Sequence, residues 1–267
     1  MKAVLKRTLP APLWAFLGRS YDAVRRLPEL PSAYFHPWRL TSKRNLGSLL
    51  DIHKGQRCFI IGNGPSLRDL DLSRLKNEVT FGMNRIYLLF PELGFTSTYF
   101  VSINDLVIQQ CAEDIRSLPI PKFLAWRAHN LIQPTPDTSF LYTTYTGPKF
   151  SGDARGRVWE GATVTYVTLQ LAFHMGFDQV ILIGVDHNFV SKGDPNQTIT
   201  SYGEDPNHFS SNYFGKGFKW QLPDLQTSEL AYRMAKSAYE KAGRKVLDAT
   251  KDGKLTVFPK VNYDSLF

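Results

Sequence analysis

The sequence is poor in cysteine and contains no long apolar run. Its two cysteines, Cys58 and Cys111, form neither a CxxC pair nor another metal-ligand spacing, which favours a reducing, cytosolic compartment. No apolar run reaches the roughly 18 to 20 residues of a membrane-spanning helix, and the N-terminus lacks the apolar core and cleavage site of a signal peptide. We therefore expect a cytoplasmic protein.

Net charge is also small outside the N-terminal part of the chain. Residues 1–46 hold nine Lys or Arg and two acidic residues, a balance of +7 within a net charge of +8. The remainder is close to neutral, which argues against nucleic-acid binding and for one local basic patch. We expect a basic N-terminal extension, residues 1–50, followed by one α/β domain, residues 51–267.

Residues 12–27 predict a short basic amphipathic helix. The helical spacing of its apolar residues gives it one apolar face, made of Leu13, Phe16, Leu17, Tyr21 and Val24. Two interpretations stay open: the helix contacts an anionic membrane, with Trp14 and Phe16 at the headgroup level, or it packs on the main domain. The proline-rich stretch 28–37 predicts an extended connector.

From residue 56 onward the pattern indicates strands alternating with helices. This alternation is typical of a mostly parallel sheet with helices on both faces, a Rossmann-like α/β fold. Strands are predicted at 57–62, 79–83, 98–103, 122–126 and 179–184, with short ones at 138–142 and 245–247, and helices at 66–76, 106–117, 161–175 and 225–242. Residues 187–223 are too long for a plain connection and predict a functional lid loop.

A glycine-rich turn follows the first predicted strand. Its residues are Gly62, Asn63, Gly64, Pro65 and Ser66. The glycines would let the backbone approach a phosphate, while Pro65 presets a first helical turn that Ser66 can cap. The turn matches neither a Walker loop nor the dinucleotide GxGxxG motif. We expect it to bind a nucleotide, although a strand-to-helix turn without a ligand is the alternative.

Two further asparagines follow strand ends. Asn84 comes after the second predicted strand and Asn104 after the third. One asparagine in such a place is usually a turn former, but three at consecutive strand ends predict amides that contact a base, ribose or phosphate.

The strand at 179–184 ends in Gly184, Asp186 and His187. Asp186 could bind a ribose hydroxyl or orient a histidine, or it could serve only as a loop or capping carboxylate. The next candidate is the start of the preceding helix, where Gly161 and Ala162 could face an anion.

The lid loop itself carries chemistry-bearing residues between positions 206 and 220. His208, Lys216, Lys219 and several aromatic residues could supply a base, a charge clamp and a stacking wall. A surface loop without a chemical role is the alternative.

Taken together, these motifs resemble the bacterial CMP-sialic-acid-dependent sialyltransferases that build lipooligosaccharide caps. The matching pieces are GNGPSL and the DLSRL that follows it, Asn84, Asn104, the helix opening at Gly161 and the GVD ending at Asp186. The chain is also similar to the broader family of 6-hydroxymethylpterin diphosphokinase-like (MptE-like) proteins, which shares the glycine turn and the Gly-x-Asp strand end. The resemblance spans about residues 56–250.

The resemblance implies roles for several residues. Asn63, Asn84 and Asn104 would contact the CMP part of a donor. A histidine in the loop after Gly-x-Asp would be the base, with His208 as first candidate and His187 as second.

One position departs from the sialyltransferase pattern. Where those enzymes have a tyrosine two residues after the Asp, this chain has Asn188. Tyr202 and Tyr213 are the candidates to replace that tyrosine.

The sequence therefore predicts a glycosyltransferase-like enzyme that moves a sugar from a nucleotide donor, CMP-linked, to a cell-surface glycan precursor. His208 would remove the acceptor proton, and Lys216, Lys219 or a tyrosine hydroxyl would steady the departing phosphate. This scheme requires no metal or other cofactor. Its partners are the nucleotide sugar, the glycan acceptor and, peripherally, the anionic inner face of the membrane.

Two alternatives stay open. An ATP-dependent pyrophosphokinase of the pterin type would need Mg²⁺ held by carboxylates such as Asp105 and Asp186. Asn104 favours sugar transfer over this activity, because the pterin kinases more often have an acidic residue there. A non-catalytic nucleotide-binding protein of an envelope assembly complex would not need the loop histidine.

Overall fold

The computed structural model describes residues 11–144, 146–190 and 193–267. Within them the strands, in chain order, are β1 Arg57–Ile61, β2 Thr80–Met83, β3 Tyr99–Ser102, β4 Lys122–Ala125, β5 Thr138–Thr144, β6 Arg157–Trp159, β7 Gln179–Ile183, β8 Thr198–Thr200, β9 Lys219–Gln221 and β10 Lys245–Asp248. Eight of them form one sheet whose neighbouring strands are all parallel, and β8 and β9 form a separate antiparallel pair. The prediction of a Rossmann-like α/β fold is confirmed.

Helices cover both faces of this sheet. The α-helices of the described residues are α1 Ala11–Arg26, α2 Leu30–Phe35, α3 Pro37–Ser48, α4 Phe90–Leu93, α5 Asp105–Gln110, α6 Ala112–Ser117, α7 Val164–His174 and α8 Leu225–Lys241. Successive side chains of a strand point to opposite faces, so Cys58 and Ile60 join one core cluster, whereas Phe59 and Ile61 join the other. The first cluster contains the buried sides of α7 and α8, and the second contains Phe209 and Phe214 of the lid loop.

The strand order creates a crevice beside β1. It runs β10-β7-β1-β2-β3-β4-β5-β6, so the chain builds outward from β1 to β6 and then crosses back to place β7 on the other side of β1. In open α/β sheets, ligands bind outside the carboxyl ends of the strands at such a switch point. The loops that follow β1 and β7 are therefore the first place to look for a site.

The structure differs from the sequence-based prediction in the short helical segments. Residues 66–76 form two 3₁₀-helices, Pro65–Asp69 and Leu72–Asn77, where one α-helix was expected. They separate at Leu70, whose backbone is extended, and the Asp71 carboxylate accepts a hydrogen bond from Ser73 N at the start of the second one.

The expected extended connector at 28–37 was also wrong. It is helical, with the 3₁₀-helix Leu27–Glu29 followed by α2 and the start of α3. Each of these segments has a proline in its first turn, where a missing N–H is tolerated and the fixed φ favours the helix.

Part of the expected N-terminal extension packs into the domain. Ala33 and Leu46 are fully buried, and the Ser42 hydroxyl accepts a hydrogen bond from the backbone N of Phe140 in β5 at 2.9 Å. Helix α1 occupies the predicted segment, but the side chains of Trp14 and Phe16 lie outside those that the structure describes. None of the helices in the described residues has the length and apolar character that a membrane crossing requires.

Candidate functional site

A cavity of about 1080 Å³ opens at the carboxyl edge of the sheet. The candidate residues that line it are Gly62, Asn63, Gly64, Asn84, Asn104, Ala162, Gly184, Asp186, His187, His208 and Tyr213. The candidates that are not among its lining residues are Pro65, Ser66, Gly161, Tyr202 and Lys216. The fold thus gathers residues from four strand ends, the start of α7 and the lid loop around one space.

The glycines of the first turn allow two loops to pack closely. Gly64 N donates to Gly184 O at 2.9 Å. A Cβ atom on Gly62 would overlap the Gly184 carbonyl, and one on Gly64 would overlap the Asp186 carboxylate. The loop that follows β7, which we call the β7 loop, therefore occupies the space beside the Cα atoms of Gly62 and Gly64 where a side chain would lie. We had expected a phosphate to approach the backbone there.

Asp186 holds this turn in place. Its carboxylate accepts hydrogen bonds from Ser66 N at 3.1 Å and from Ser66 Oγ at 2.8 Å. Burial raises the pKa of Asp186, while the two bonds from Ser66 act in the opposite direction. Ser66 thus donates to a neighbouring loop and does not cap the segment that follows the turn.

The side-chain amides of the three strand-end asparagines differ in their hydrogen bonds. The side-chain carbonyl oxygen of Asn63 is buried and has no hydrogen-bond partner among the described residues. The carbonyl oxygen of Asn84 accepts from Ser102 Oγ at 3.1 Å, and that of Asn104 accepts from Leu106 N and Val107 N at the start of α5. Asn63 is therefore left with an acceptor for a ligand, and Asn84 and Asn104 are left with their amide N–H donors.

His208 is held by an aspartate that the sequence did not single out. Its Nδ1 lies 2.8 Å from Asp205 Oδ2, and its ring stacks on Tyr213 with centroids 4.0 Å apart and planes 4° apart. The neighbouring Phe209 N donates to Asn63 O at 2.9 Å, which ties the lid loop to the glycine turn. The hydrogen-bonded pair of Asp205 and His208, which we call the lid dyad, is thereby positioned beside Asn63. Nε2 is the ring nitrogen of His208 that Asp205 does not contact.

His187 and Tyr213, the other two catalytic candidates with ring side chains in the cavity, form hydrogen bonds within the protein. His187 Nε2 lies 3.2 Å from Glu229 Oε1 on α8, and the hydroxyl of Tyr213 accepts from Arg85 N at 3.2 Å. Burial raises the pKa of Tyr213, so its hydroxyl stays protonated at neutral pH. Tyr213 is thus a stacking surface for His208.

Two lid-loop candidates, Tyr202 and Lys216, do not line the cavity. Tyr202 is 91% exposed and Lys216 is an exposed residue. A phosphate in the cavity is therefore not supported by either side chain in this conformation. The start of α7 is better placed, because Ala162, Thr163 and Val164 line the cavity and Thr163 caps the helix.

One arginine in the cavity wall, Arg127, was not predicted from the sequence. Arg127 donates to Glu160 Oε1 at 2.6 Å and to Ile103 O at 2.7 Å, and it forms an ion pair with Asp105. Burial lowers the pKa of Arg127, but these ion pairs outweigh burial and raise the pKa overall. Because Arg127 follows the end of β4, the rule that identified the strand-end asparagines could have found it.

The carboxylates that Mg²⁺ would need do not form a cation site. Asp105 pairs with Arg127, and Asp186 is bound to Ser66. Among the described residues there is no group of three or more His, Cys, Asp or Glu side chains that could hold a metal ion. These residues do not fit a magnesium ion as they stand.

Comparison with known proteins identifies the family. The model described as 6-hydroxymethylpterin diphosphokinase MptE-like matches residues 38–192, more than half of the chain. The chain belongs to the MptE-like family. The MptE-like match covers the ends of β1 to β7 but stops before Asp205 and His208, and no curated protein matches the chain.

A solved structure with a similar arrangement is the MAf glycosyltransferase from Magnetospirillum magneticum AMB-1. It is 14% identical, has a TM-score of 0.49, and its match covers 86% of this chain and 39% of that chain. The chain therefore spans less than half the length of that protein. The predicted resemblance to the MptE-like superfamily is confirmed, whereas neither comparison names a sialyltransferase.

Proposed function

We propose that this MptE-like protein is a transferase that moves a sugar from a nucleotide donor, CMP-linked, to a hydroxyl group of a glycan precursor. The observation that carries the proposal is the buried carbonyl oxygen of Asn63, which has no partner among the described residues. Leaving such an acceptor unpaired costs about 1 to 3 kcal/mol. An amino or hydroxyl group of a bound nucleotide would satisfy it.

The three asparagines suit a pyrimidine such as cytosine. Cytosine presents an amino donor next to acceptor atoms, and the cavity offers one amide acceptor, Asn63, and two amide donors, Asn84 and Asn104. Neutral amides and backbone groups can form hydrogen bonds with these atoms of cytosine without a metal ion. The donor phosphate would then lie toward the start of α7, where backbone N–H groups and the helix dipole favour an anion.

The lid dyad supplies the base. His208 Nε2 would take the proton of the acceptor hydroxyl while its oxygen attacks the anomeric carbon of the donor sugar. The bond from that carbon to the phosphate oxygen breaks, and the electron pair leaves with the nucleotide. Asp205 does not touch the reacting atoms; it positions the imidazole through Nδ1.

The family description supports a second candidate, pyrophosphoryl transfer from ATP to a pterin. That reaction also uses an activated hydroxyl, so the dyad would serve it equally. It would need Mg²⁺, and the two carboxylates predicted to hold it, Asp105 and Asp186, are engaged by Arg127 and Ser66. These contacts favour sugar transfer. A nucleotide-binding protein without catalysis is the third candidate, and it would not need His208.

A thermal-shift experiment separates these candidates. The protein is heated with CMP, CDP, UDP, GDP, ATP or a pterin, each with added Mg²⁺ and each with a chelator. We expect CMP and CDP to raise the Tm in the presence of the chelator. A shift only with ATP and Mg²⁺ would support the pyrophosphokinase instead.

A further inference from the structure

Helix α1 presents an apolar face to the solvent. Leu13, Leu17 and Val24 are spaced so that an α-helix places them on one side, and they are 44%, 45% and 63% exposed. We call these three residues the α1 apolar face. Exposed apolar residues that share one side of a helix are typical of an interaction surface.

The end of α1 lies at the rim of the cavity. Arg25, Arg26 and Glu29 are among the residues that line it, and Arg26 Nη1 donates to Thr146 Oγ1 at 3.0 Å, just beyond β5. Helix α1 therefore contributes to the wall of the proposed active site and also exposes an apolar face on the protein surface.

The charge around α1 indicates which partner covers this face. In the sequence, residues 1–46 carry nine basic and two acidic residues, a balance of +7. Arg39 is buried in the domain, which leaves a balance of +6 for contact with a partner. A second copy of the chain would bring two such basic segments together, which is unfavourable. A surface of anionic lipid headgroups complements the charge and accepts the apolar side chains below the headgroup level.

We propose that α1 docks the protein on an anionic membrane with the cavity opening beside the lipid surface. The acceptor is then a membrane-borne glycolipid precursor, which reaches the cavity past Arg25 and Arg26. The identity of the acceptor rests on the proposed function, whereas the docking itself does not.

Vesicle co-sedimentation of the full chain tests the docking. Vesicles of phosphatidylcholine are compared with vesicles of equal parts phosphatidylcholine and phosphatidylglycerol. We expect binding to the anionic vesicles that is at least about tenfold stronger than to the neutral ones and that weakens with added salt. Leu17→Glu should reduce this binding about tenfold or more, and the matched control Leu131→Glu, at a site 50% exposed outside α1, should not.

A label reports directly on contact with lipid. Because Cys58 and Cys111 are buried, an environment-sensitive dye can be attached to Leu17→Cys alone. Its emission should shift to the blue on anionic vesicles. The same dye on Ser265→Cys should not respond, because that residue is exposed beside Leu266, whose carbonyl accepts from Arg57 at the amino end of β1, opposite the cavity.

Three results would overturn the proposal: equal vesicle binding by Leu17→Glu and Leu131→Glu, no dye response at position 17, or a dimer that Leu17→Glu converts to a monomer. The last result would make a second copy the partner of the α1 apolar face. The CMP-induced change in Tm is measured on the same variants, so a failure of docking is distinguished from a failure of nucleotide binding.

Discussion

Nδ1 of His208 lies 2.8 Å from Oδ2 of Asp205, and the two side chains are only 13% and 4% exposed. The other carboxylate oxygen of Asp205 accepts from Asn207 N at 2.9 Å. The aspartate is thus fixed on both sides and in turn fixes the imidazole, whose ring rests on Tyr213. A base that is oriented by a third group is the arrangement that activated nucleophiles require.

His208→Ala should lower turnover by roughly 10²- to 10⁴-fold, the usual contribution of a positioned base. Nucleotide affinity should stay nearly unchanged, because in the proposed binding mode the strand-end asparagines hold the nucleotide. The measurements are kcat and the Kd for CMP. His187→Ala is the matched control and should cost much less, since its ring nitrogen is bound to Glu229. A larger loss for His187→Ala would assign the base to that residue, and unchanged turnover in both variants would remove the lid loop from catalysis.

Asp205→Asn should lower kcat by at least about tenfold, because an amide can stabilise the wrong imidazole tautomer. KM and Tm should change little, since Asn retains an acceptor for Asn207 N. In the His208→Ala background the same substitution should have no further effect on kcat, because the two residues act as a unit. Additive losses in the double variant would show that Asp205 acts by another route.

Asn63→Ala should weaken CMP binding by about 1 to 3 kcal/mol, the cost of removing a partner from a buried hydrogen bond. The Tm of the protein without a ligand should not fall, because this carbonyl oxygen has no partner to lose among the described residues. Isothermal titration calorimetry gives the affinity, and Asn212→Ala, at an exposed lid position that does not line the cavity, is the control. Unchanged affinity would remove Asn63 from the site.

Gly64→Ala should destabilise the fold by about 1 to 3 kcal/mol, because the new Cβ would overlap the carboxylate of Asp186 and displace the β7 loop. Gly215→Ala is the matched control, since nothing lies within 4 Å of a Cβ there. Urea denaturation gives the free energy of unfolding. Equal stability of the two variants would mean that the loops can separate without cost.

The strand-end residues could be predicted because their positions follow from a simple geometric rule. Once β1, β2 and β3 are predicted as neighbouring parallel strands, Asn63, Asn84 and Asn104 must meet at one edge of the sheet. Arg127 obeys the same rule after β4. Its place at this edge of the sheet therefore follows from the sequence in the same way as those of the asparagines.

The lid loop could not be predicted in the same way. Asp205 and His208 are three residues apart in an irregular segment, and no periodicity relates their side chains. Their contact depends on tertiary anchors, namely the bond from Phe209 N to Asn63 O and the stacking on Tyr213. The exposure of Tyr202 and Lys216 could not be predicted from the sequence either, because it also depends on how the loop packs.

The last prediction concerns the carboxyl group of Asp186, whose pKa burial raises above 3.8 despite the two hydrogen bonds from Ser66. A carboxyl group with a higher pKa in the folded than in the unfolded protein binds its proton more tightly when folded. Its contribution to stability is therefore lost as the pH rises from the unfolded pKa, about 3.9, through the folded pKa. Asn at this position does not titrate. The free energy of unfolding of Asp186→Asn, relative to the wild type, should thus rise across this pH window and then level off. Urea denaturation at a series of pH values measures it, with exposed Asp252→Asn as the control. A relative stability that stays flat or falls with pH would show that burial does not govern this carboxyl group.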